Sequence, residues 1–543
     1  MAETPRNSHG TEPSASDMRL VIAASSMGTV FEWYDFFIYG TLAAVIGNTF
    51  FPSGNETLET LLVWAGFAVG FCFRPLGAIL FGFLGDRLGR KYTFLVTVTL
   101  MGVATAGVGF TPSSASIGLA APVIVLLLRV VQGLALGGEY GGAAIYVSEH
   151  SPQHRRGFHT GFIQASVVGG FVLSLIVVLS CKAMMSPATW EAWGWRLPFV
   201  LSLALLALSL YMRLKLSESP VFRAMREEGK LSGNPFKESF TYPGNRRRIF
   251  IALFGISAGL TVIWYTAMFS ALSFLKGAMR MADTSAEIIV GVSAAVGMAF
   301  FVIFGSLSDK VGRRQPIILG YMLTLLLLFP AFWLIGNNAN PALSRAAEQA
   351  PVLVAGPDCK FNPFRNEQDT DCGKLLGDLT GAGIAYRVVD AKQLLLKVGS
   401  RPLPMAEYPW ADKAARGQML QGWLAQAGYN FTKDRPTLSG AITIVGVLVA
   451  LMALAGATYG PAAALLSEMF PPRIRYSSMS IPYHLGTGYF GGFLPLISSY
   501  MVASSGNPYQ GLWYTWIVVA IALAVSLWGL RGGPPREYGD PSV

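Results

Sequence analysis

Twelve stretches of mostly apolar residues run through the chain, at 20–47, 59–85, 93–111, 119–147, 158–181, 197–213, 249–272, 286–307, 316–336, 439–466, 480–503 and 511–530. Each is near or above the ~20 residues a helix needs to cross a bilayer. In lipid every backbone N–H and C=O must be satisfied within the chain, so these stretches predict an all-α bundle of twelve transmembrane helices. Charged residues are 13% of the 543 and hydrophobic residues 52%, whereas soluble domains are about 25% charged. A soluble enzyme and a disordered chain are excluded, and four cysteines are too few for a disulfide scaffold. The first 18 residues are polar and the first apolar run is of span length, so that run is expected to act as its own targeting signal.

Lys and Arg in the connections set the orientation. With the N-terminus inside, the cytoplasmic segments hold 23 basic residues, nine of them between Arg213 and Arg248. The short external loops hold Lys182, Arg196, Lys276 and Arg280. An even number of spans puts both termini in the cytoplasm. The net charge of +10 therefore reflects topology, and no nucleic-acid partner is needed to explain it.

The chain repeats internally. Gly82-Phe-Leu-Gly-Asp86-Arg87-Leu-Gly89-Arg90-Lys91 follows the second stretch, and Gly305-Ser-Leu-Ser-Asp309-Lys310-Val-Gly312-Arg313-Arg314 follows the eighth, 223 positions later. A second pair places Glu149 before Arg155-Arg156 and Glu468 before Arg473 and Arg475. Two six-helix halves in parallel repeat are the plan of the major facilitator fold. The boundaries expected are an N-terminal bundle at 1–213, a cytoplasmic central loop at 214–248, helices 7–9 at 249–336, an insertion at 337–438, and helices 10–12 with a cytoplasmic tail at 439–543.

The repeat also measures the insertion. Gly82 to Glu149 is 67 residues and Gly305 to Glu468 is 163, so 96 extra residues fall between helices 9 and 10. With 12 basic and 10 acidic residues, this stretch is predicted to be a small α/β unit outside the membrane. Ala385–Val389 reads as a strand, and Ala391–Lys397 and Ala411–Ala427 read as helices by apolar spacing. Cys359 and Cys372 lie in a Pro- and Asp-rich segment and are expected to form a disulfide in an oxidising compartment.

Several long motifs agree in order with one family. They are Glu32-Trp33-Tyr34-Asp35-Phe36-Phe-Ile-Tyr39-Gly40, Phe73-Arg74-Pro75-Leu-Gly77, Arg129-Val-Val-Gln132-Gly133 with Gly137-Gly138-Glu139-Tyr140-Gly141, Trp193-Gly-Trp195-Arg196-Leu-Pro198-Phe199, Glu218-Ser-Pro220-Val-Phe222, Tyr459-Gly460-Pro461 and Glu468-Met-Phe-Pro471. The chain resembles the metabolite:H⁺ symporters of the major facilitator superfamily, a group that includes carriers similar to the α-ketoglutarate, shikimate, citrate and proline/betaine permeases. The resemblance implies a monomeric carrier in the bacterial inner membrane, without cofactor, metal or catalytic residues, in which proton influx drives uptake of a small metabolite. It covers both halves but not the insertion.

Charges inside a bilayer cost about 2.5–3.5 kcal/mol each, so intramembrane ionisable residues are functional candidates. Glu32 and Asp35, at i and i+3, share one face of helix 1 and could load and release a proton; a structural pair with an arginine of helix 2 or 4 is the alternative. Arg129, Gln132, Leu136 and Glu139 form a stripe along helix 4. Arg129 resembles the superfamily's fourth-helix arginine and can bind a carboxylate or tune a neighbouring acid, though it cannot carry the proton. Pairing between Arg129 and Glu139 is the simpler reading. Arg74 could grip a substrate carboxylate or pair with Glu32 or Asp35. His484 could titrate near neutral pH or simply pack. Tyr39, Gln164, Tyr265, Tyr459 and Tyr483 could face a polar cavity, with packing or an interfacial place the simpler reading for each, and Gln132 is a further substrate-binding candidate.

Gly82, Asp86, Arg87, Gly89 and Arg90, and in the second half Gly305, Asp309, Gly312 and Arg313, are expected to form charge latches. Their partners would be Glu149 and Glu468, with Arg155 and Arg473 as further members, gating alternating access as in the family. A drug/proton antiporter is disfavoured because residues 158–181 lack proline. A membrane enzyme is disfavoured because no GxSxG, HExxH, Walker or GxGxxG pattern appears in convincing context. A sensor using the insertion is a further alternative. Two intramembrane arginines favour an organic acid anion as solute, with a zwitterionic osmolyte as the alternative.

Overall fold

A computed structural model of the chain describes residues 15–88, 90–138, 140–214 and 235–535. Each of the twelve apolar stretches is helical, several of them in two pieces. The N-terminal helices are α1 (Ala15–Thr41), α2 (Glu56–Cys72), α3 (Arg74–Leu88), α4 (Arg90–Phe110), α5 (Ala120–Gly137), α6 (Tyr140–His150), α7 (Arg156–Ala183) and α8 (Ser202–Leu214). After the connection come α9 (Asn245–Ala278), α10 (Asp283–Val311) and α11 (Arg314–Ala339). Among the described residues, nine helical segments are long and apolar enough to cross a membrane.

The breaks have local causes. Pro75 has no N–H to give the Phe71 carbonyl, so the second stretch divides at Phe73 into α2 and α3. α10 ends at Gly312, whose φ of +94° suits glycine far better than any other residue. α9 contains three π-helical turns, and Gly486–Gly492 forms a further π-helical segment; such turns are common at functional sites.

Two seams join the N-terminal helices to the C-terminal ones. In the first, α7 packs along α10. In the second, α2 and α3 meet Gly486–Gly492 and α16 (Arg475–Leu485). Small residues allow close approach within the N-terminal bundle: a Cβ at Gly133 would overlap the Gly70 carbonyl, and one at Gly137 the Arg74 carbonyl, so α5 lies against α2 and α3 backbone to backbone.

Between α11 and the next bundle helix lies a unit with its own hydrophobic core, built from residues such as Val354, Leu375, Leu379, Leu396 and Leu424. Its strands are β1 (Val352–Gly356), β2 (Tyr386–Asp390), β3 (Leu395–Val398) and β4 (Arg401–Leu403). They form a sheet in the order β2-β1-β3-β4, with β1 and β2 parallel and joined through α12 (Asp371–Gly381). A second helix, α13 (Lys413–Gln426), covers the sheet unit. Cys359 and Cys372 are disulfide-bonded.

One expectation fails here. Ala391–Lys397, expected as a helix, contributes instead to β3. Three consecutive leucines fit either period, and two tertiary features decide for the strand. β1 offers its free side for pairing, and Gly399, at φ +60°, turns the chain tightly into β4. The burial of β3 alternates residue by residue, which is the strand period.

The bundle finishes with α14 (Leu438–Tyr459), α15 (Ala462–Met469), α16, α17 (Leu494–Ser505) and α18 (Leu512–Gly529). The sheet unit sits on one end of the bundle. Arg280, just beyond α9, donates to the carbonyls of Ala382 (3.0 and 2.6 Å) and Phe431 (3.2 Å), and the Tyr386 amide donates to Gly506 at 3.2 Å. Lys413 reaches across to the Gly54 carbonyl at 2.6 Å, touching the N-terminal helices.

Candidate functional site

Most of the expected binding residues converge where the two sets of helices meet. Arg129, fully buried on α5, donates to Gln132 Oε1 at 2.6 Å, and Gln132 donates to Thr105 at 2.7 Å. The Arg129 guanidinium lies 4.2 Å from the Phe36 ring centroid and 4.5 Å from that of Tyr39. Such cation–π contacts offset part of the cost of burying the charge. Glu139, the alternative partner for Arg129, lies outside the described residues. Glu32 and Asp35 are both buried on α1, each 5% exposed, and the Thr105 hydroxyl donates to the Asp35 carbonyl at 3.4 Å.

Arg74 opens α3 and is likewise fully buried, between the rings of Phe71 (4.8 Å) and Trp33 (5.1 Å). Its charge acts on Tyr265 of α9, Tyr459 of α14 and His484 of α16. One N-terminal arginine thus stands within electrostatic reach of three polar groups from the C-terminal helices. Tyr459 shares a hydrogen bond with Thr261 at 3.4 Å. The hydroxyls of Tyr39 and Tyr265 and both ring nitrogens of His484 have no hydrogen-bond partner among the described residues. Buried polar atoms left without protein partners are rare and call for an explanation. Gln164, on α7, is also buried, at 1% exposure.

A ring cluster closes this region toward the sheet unit. Phe37 packs on Trp264 at 5.2 Å, Phe71 on Tyr265 at 5.8 Å and Phe67 on Phe269 at 5.6 Å, so each pair joins an N-terminal helix to α9.

At the opposite end, α7 and α10 are tied by a charge network. Asp309 accepts from the amides of Gly157 and Phe158, both at 2.8 Å, capping the N-terminus of α7 from another helix, where the peptide dipoles favour a negative charge. Arg313 donates to Asp309 at 2.6 Å and forms a two-pronged pair with Glu468 at 2.9 and 3.2 Å. Burial works against the Arg313 charge, but hydrogen bonding and attraction from Glu468, then Asp309, outweigh it and its pKa rises. A Cβ at Gly157 would meet the Gly305 carbonyl, so these two glycines set how closely the helices approach.

The ion pairs at this end use Arg156 and Arg475 rather than Arg155 and Arg473. Arg156 reaches Glu468 at 3.6 Å, whereas Arg155 is exposed to solvent. Arg475 pairs with Glu149 at 3.7 Å, while Arg473 turns to Glu238 at 3.2 Å. The cause is helix geometry: Arg156 is the first residue of α7 and Arg155 precedes it, while Arg475 opens α16 and Arg473 belongs to the preceding turn. Gly89 lies outside the described residues, as do the side chains of Asp86, Arg87 and Arg90; Gly82 lies within α3.

A further cluster escaped the sequence reading. Glu287, 1% exposed near the start of α10, accepts from Lys276 at 2.7 Å and from Lys182 of α7 at 2.9 Å. Glu287 is legible as an acid just inside the eighth apolar stretch, but its lysine partners lie in two separate external connections, and spacing along the chain does not join them to it.

The sugar (and other) transporter family matches residues 20–233. The proline/betaine transporter of Salmonella typhimurium is 34% identical over 328 residues, 59% of this chain and 65% of that protein, so the chain spans just under two thirds of that relative's length. The α-ketoglutarate permease of Escherichia coli is 33% identical over 358 residues, 65% of this chain and 81% of that protein. Among solved structures, the xylose transporter of E. coli in a partially occluded inward-open conformation superposes with a TM-score of 0.62 at 15% identity, over 96% of this chain and 100% of that one. That likeness establishes the fold. The chain is a multi-pass membrane protein and belongs to the sugar (and other) transporter family of the major facilitator superfamily, alongside metabolite carriers rather than enzymes.

Proposed function

We propose that the protein is a secondary carrier that imports a small metabolite together with protons by alternating access. One observation carries this reading: fully buried Arg74, from the N-terminal helices, packs on the Phe71 ring at 4.8 Å, and Phe71 packs on Tyr265 of α9 at 5.8 Å, so the cation stands at the junction of the two sets, within electrostatic reach of Tyr265, Tyr459 and His484. A solute held there touches both, so its release requires them to part. Arginine presents a fork that matches a carboxylate, and the free hydroxyls of Tyr39 and Tyr265 supply further donors.

In this reading twelve helices cross the inner membrane, both termini are cytoplasmic, and the sheet unit lies outside. The Asp309–Arg313–Glu468 latch then closes the cytoplasmic end. Asp35, with Glu32 beside it, carries the proton, and Arg129 with Gln132 tunes that acid; Glu139 joins them at the end of the same stripe. An organic acid anion is the first candidate solute. The proline/betaine relatives support a zwitterion as the second, since either solute offers a carboxylate to Arg74.

Uptake into proteoliposomes under an inward proton gradient tests the proposal. At least one dicarboxylate, aromatic acid or betaine should accumulate. Asp35→Asn should abolish accumulation while leaving exchange of solute across the membrane. Accumulation retained by Asp35→Asn would remove the proton from that residue.

A further inference from the structure

We propose that the chamber between α2, the end of α9 and the sheet unit is an external capture site for the carboxylate of the imported solute; the proposal rests on the carrier reading above. The chamber measures about 250 Å³, just under the usual range of small-ligand cavities. Thr57 and Thr60 of α2, Ser273 and Lys276 of α9, and Thr380 of α12 line it, and Phe269 forms its floor. The same Phe269 stacks on Tyr265 at 5.6 Å, so the chamber adjoins the ring cluster.

Its charge is unbalanced. Buried Glu287 holds two ammonium groups, Lys276 and Lys182, which leaves one positive charge in excess. Lysine has three N–H donors, and the only bond made by Lys276 among the described residues is to Glu287. Arg280 also lines the chamber, and its hydrogen-bond partners are the carbonyls of Ala382 and Phe431, which carry no net charge. Lys433 is matched by Asp283 at 3.1 Å. Against the surplus stands Glu56, the one acid among the lining residues. In a half-enclosed cavity of low dielectric such a surplus attracts anions, and the ring of hydroxyls supplies hydrogen bonds for a carboxylate.

This assigns a purpose to the insertion. The unit supplies Thr380 and the backbone of Gly381 and Gly383 to the chamber wall, and the Arg280 bonds to Ala382 fix that wall to α9. A bundle without the unit would leave α2 and α9 open to bulk water on that side.

The test uses the full chain in proteoliposomes with Cys72→Ser and Cys181→Ser, the disulfide kept, and Ser273→Cys as a reporter. Ser273 is one helical turn before Lys276 on the same face. A thiosulfonate bearing a sulfonate should modify this cysteine about tenfold faster than one bearing a trimethylammonium group. Lys276→Gln should bring the two rates within about twofold of each other, and Lys276→Arg should preserve the preference. Adding α-ketoglutarate or glycine betaine should slow modification if it is the solute taken up. Should Lys276→Gln fail to fold, Thr60→Asp, which adds a negative charge at the same wall, should reverse the preference. Equal rates, a cationic preference, or a preference unaffected by these charge changes would overturn the proposal. Failure of every solute to accumulate, with the anion preference intact, would instead overturn the carrier reading.

Discussion

The two ends of the α7–α10 pair are held by ion pairs of different kinds. At one end Asp309 caps α7 with two amide bonds of 2.8 Å while Arg313 grips Glu468 with two N–H groups. At the other, one carboxylate, Glu287, is shared by two lysines that are 23% and 25% exposed. Arginine and backbone amides have fixed directions, so the first contact holds in one helix arrangement and is lost in others. Lysine is a flexible point charge that can follow a moving partner. The difference teaches that the bundle is locked at the Asp309 end and only tethered at the Glu287 end. In the orientation proposed above, the locked end is the cytoplasmic one and the tethered end the outer one.

The largest effect that would break this comparison comes from Asp309. Asp309→Asn removes one of the two oxygens that cap α7 and the negative charge that pairs with Arg313, and breaking a buried pair costs about 3 kcal/mol, or about a hundredfold in the balance between closed and open. Hydrogen exchange at the Gly157 and Phe158 amides should rise accordingly. Unchanged protection there would show that the latch does not hold the end closed.

Glu287→Gln should do less. Its lysine partners are partly solvated, so the pair is worth about 1 kcal/mol and exchange at the neighbouring end of α7 should rise only about fivefold. If Glu287→Gln loosens its end as much as Asp309→Asn loosens the other, the contrast between lock and tether is wrong.

The smallest effect sharpens the contrast with the sheet unit, whose internal polar network is structural. Tyr408 donates to Asp378 at 2.9 Å, and Arg416 donates to the same oxygen at 2.7 Å. Burial, then the Asp378 charge, raises the Tyr408 pKa above its usual 10, and burial lifts Tyr429 to about 12. A raised pKa favours the protonated fold, so this stabilisation is complete below about pH 10, where an unfolded tyrosine titrates, and is lost as pH rises through the folded values. The unit should therefore keep constant thermal stability from neutral pH to about pH 9 and weaken above about pH 10. A midpoint that falls already near pH 8 would point to a different titrating group.

Much of this was legible in the sequence because bilayers impose long apolar runs and because the chain repeats itself. The matching decapeptides singled out Asp309 and Arg313, and the second repeat singled out Glu468. What the repeat could not reveal was that Asp309 also bonds backbone amides, since an amide leaves no mark in a sequence. Nor could it choose Arg156 over Arg155, a choice made by where the first turn of α7 begins. In the insertion, Leu394–Leu396 fit two periods equally, and only pairing with β1 settled the strand. The meeting of Arg74 with Tyr265, Tyr459 and His484 joins residues up to 410 positions apart, which spacing along one helix cannot show.

The most direct test of the account is proton movement on adding solute to sealed proteoliposomes with no imposed gradient. Symport through Asp35 requires that the medium outside turn alkaline when one carboxylate-bearing solute is added, and that Asp35→Asn abolish this signal. Solute uptake without any pH change, or with acidification outside, would contradict symport.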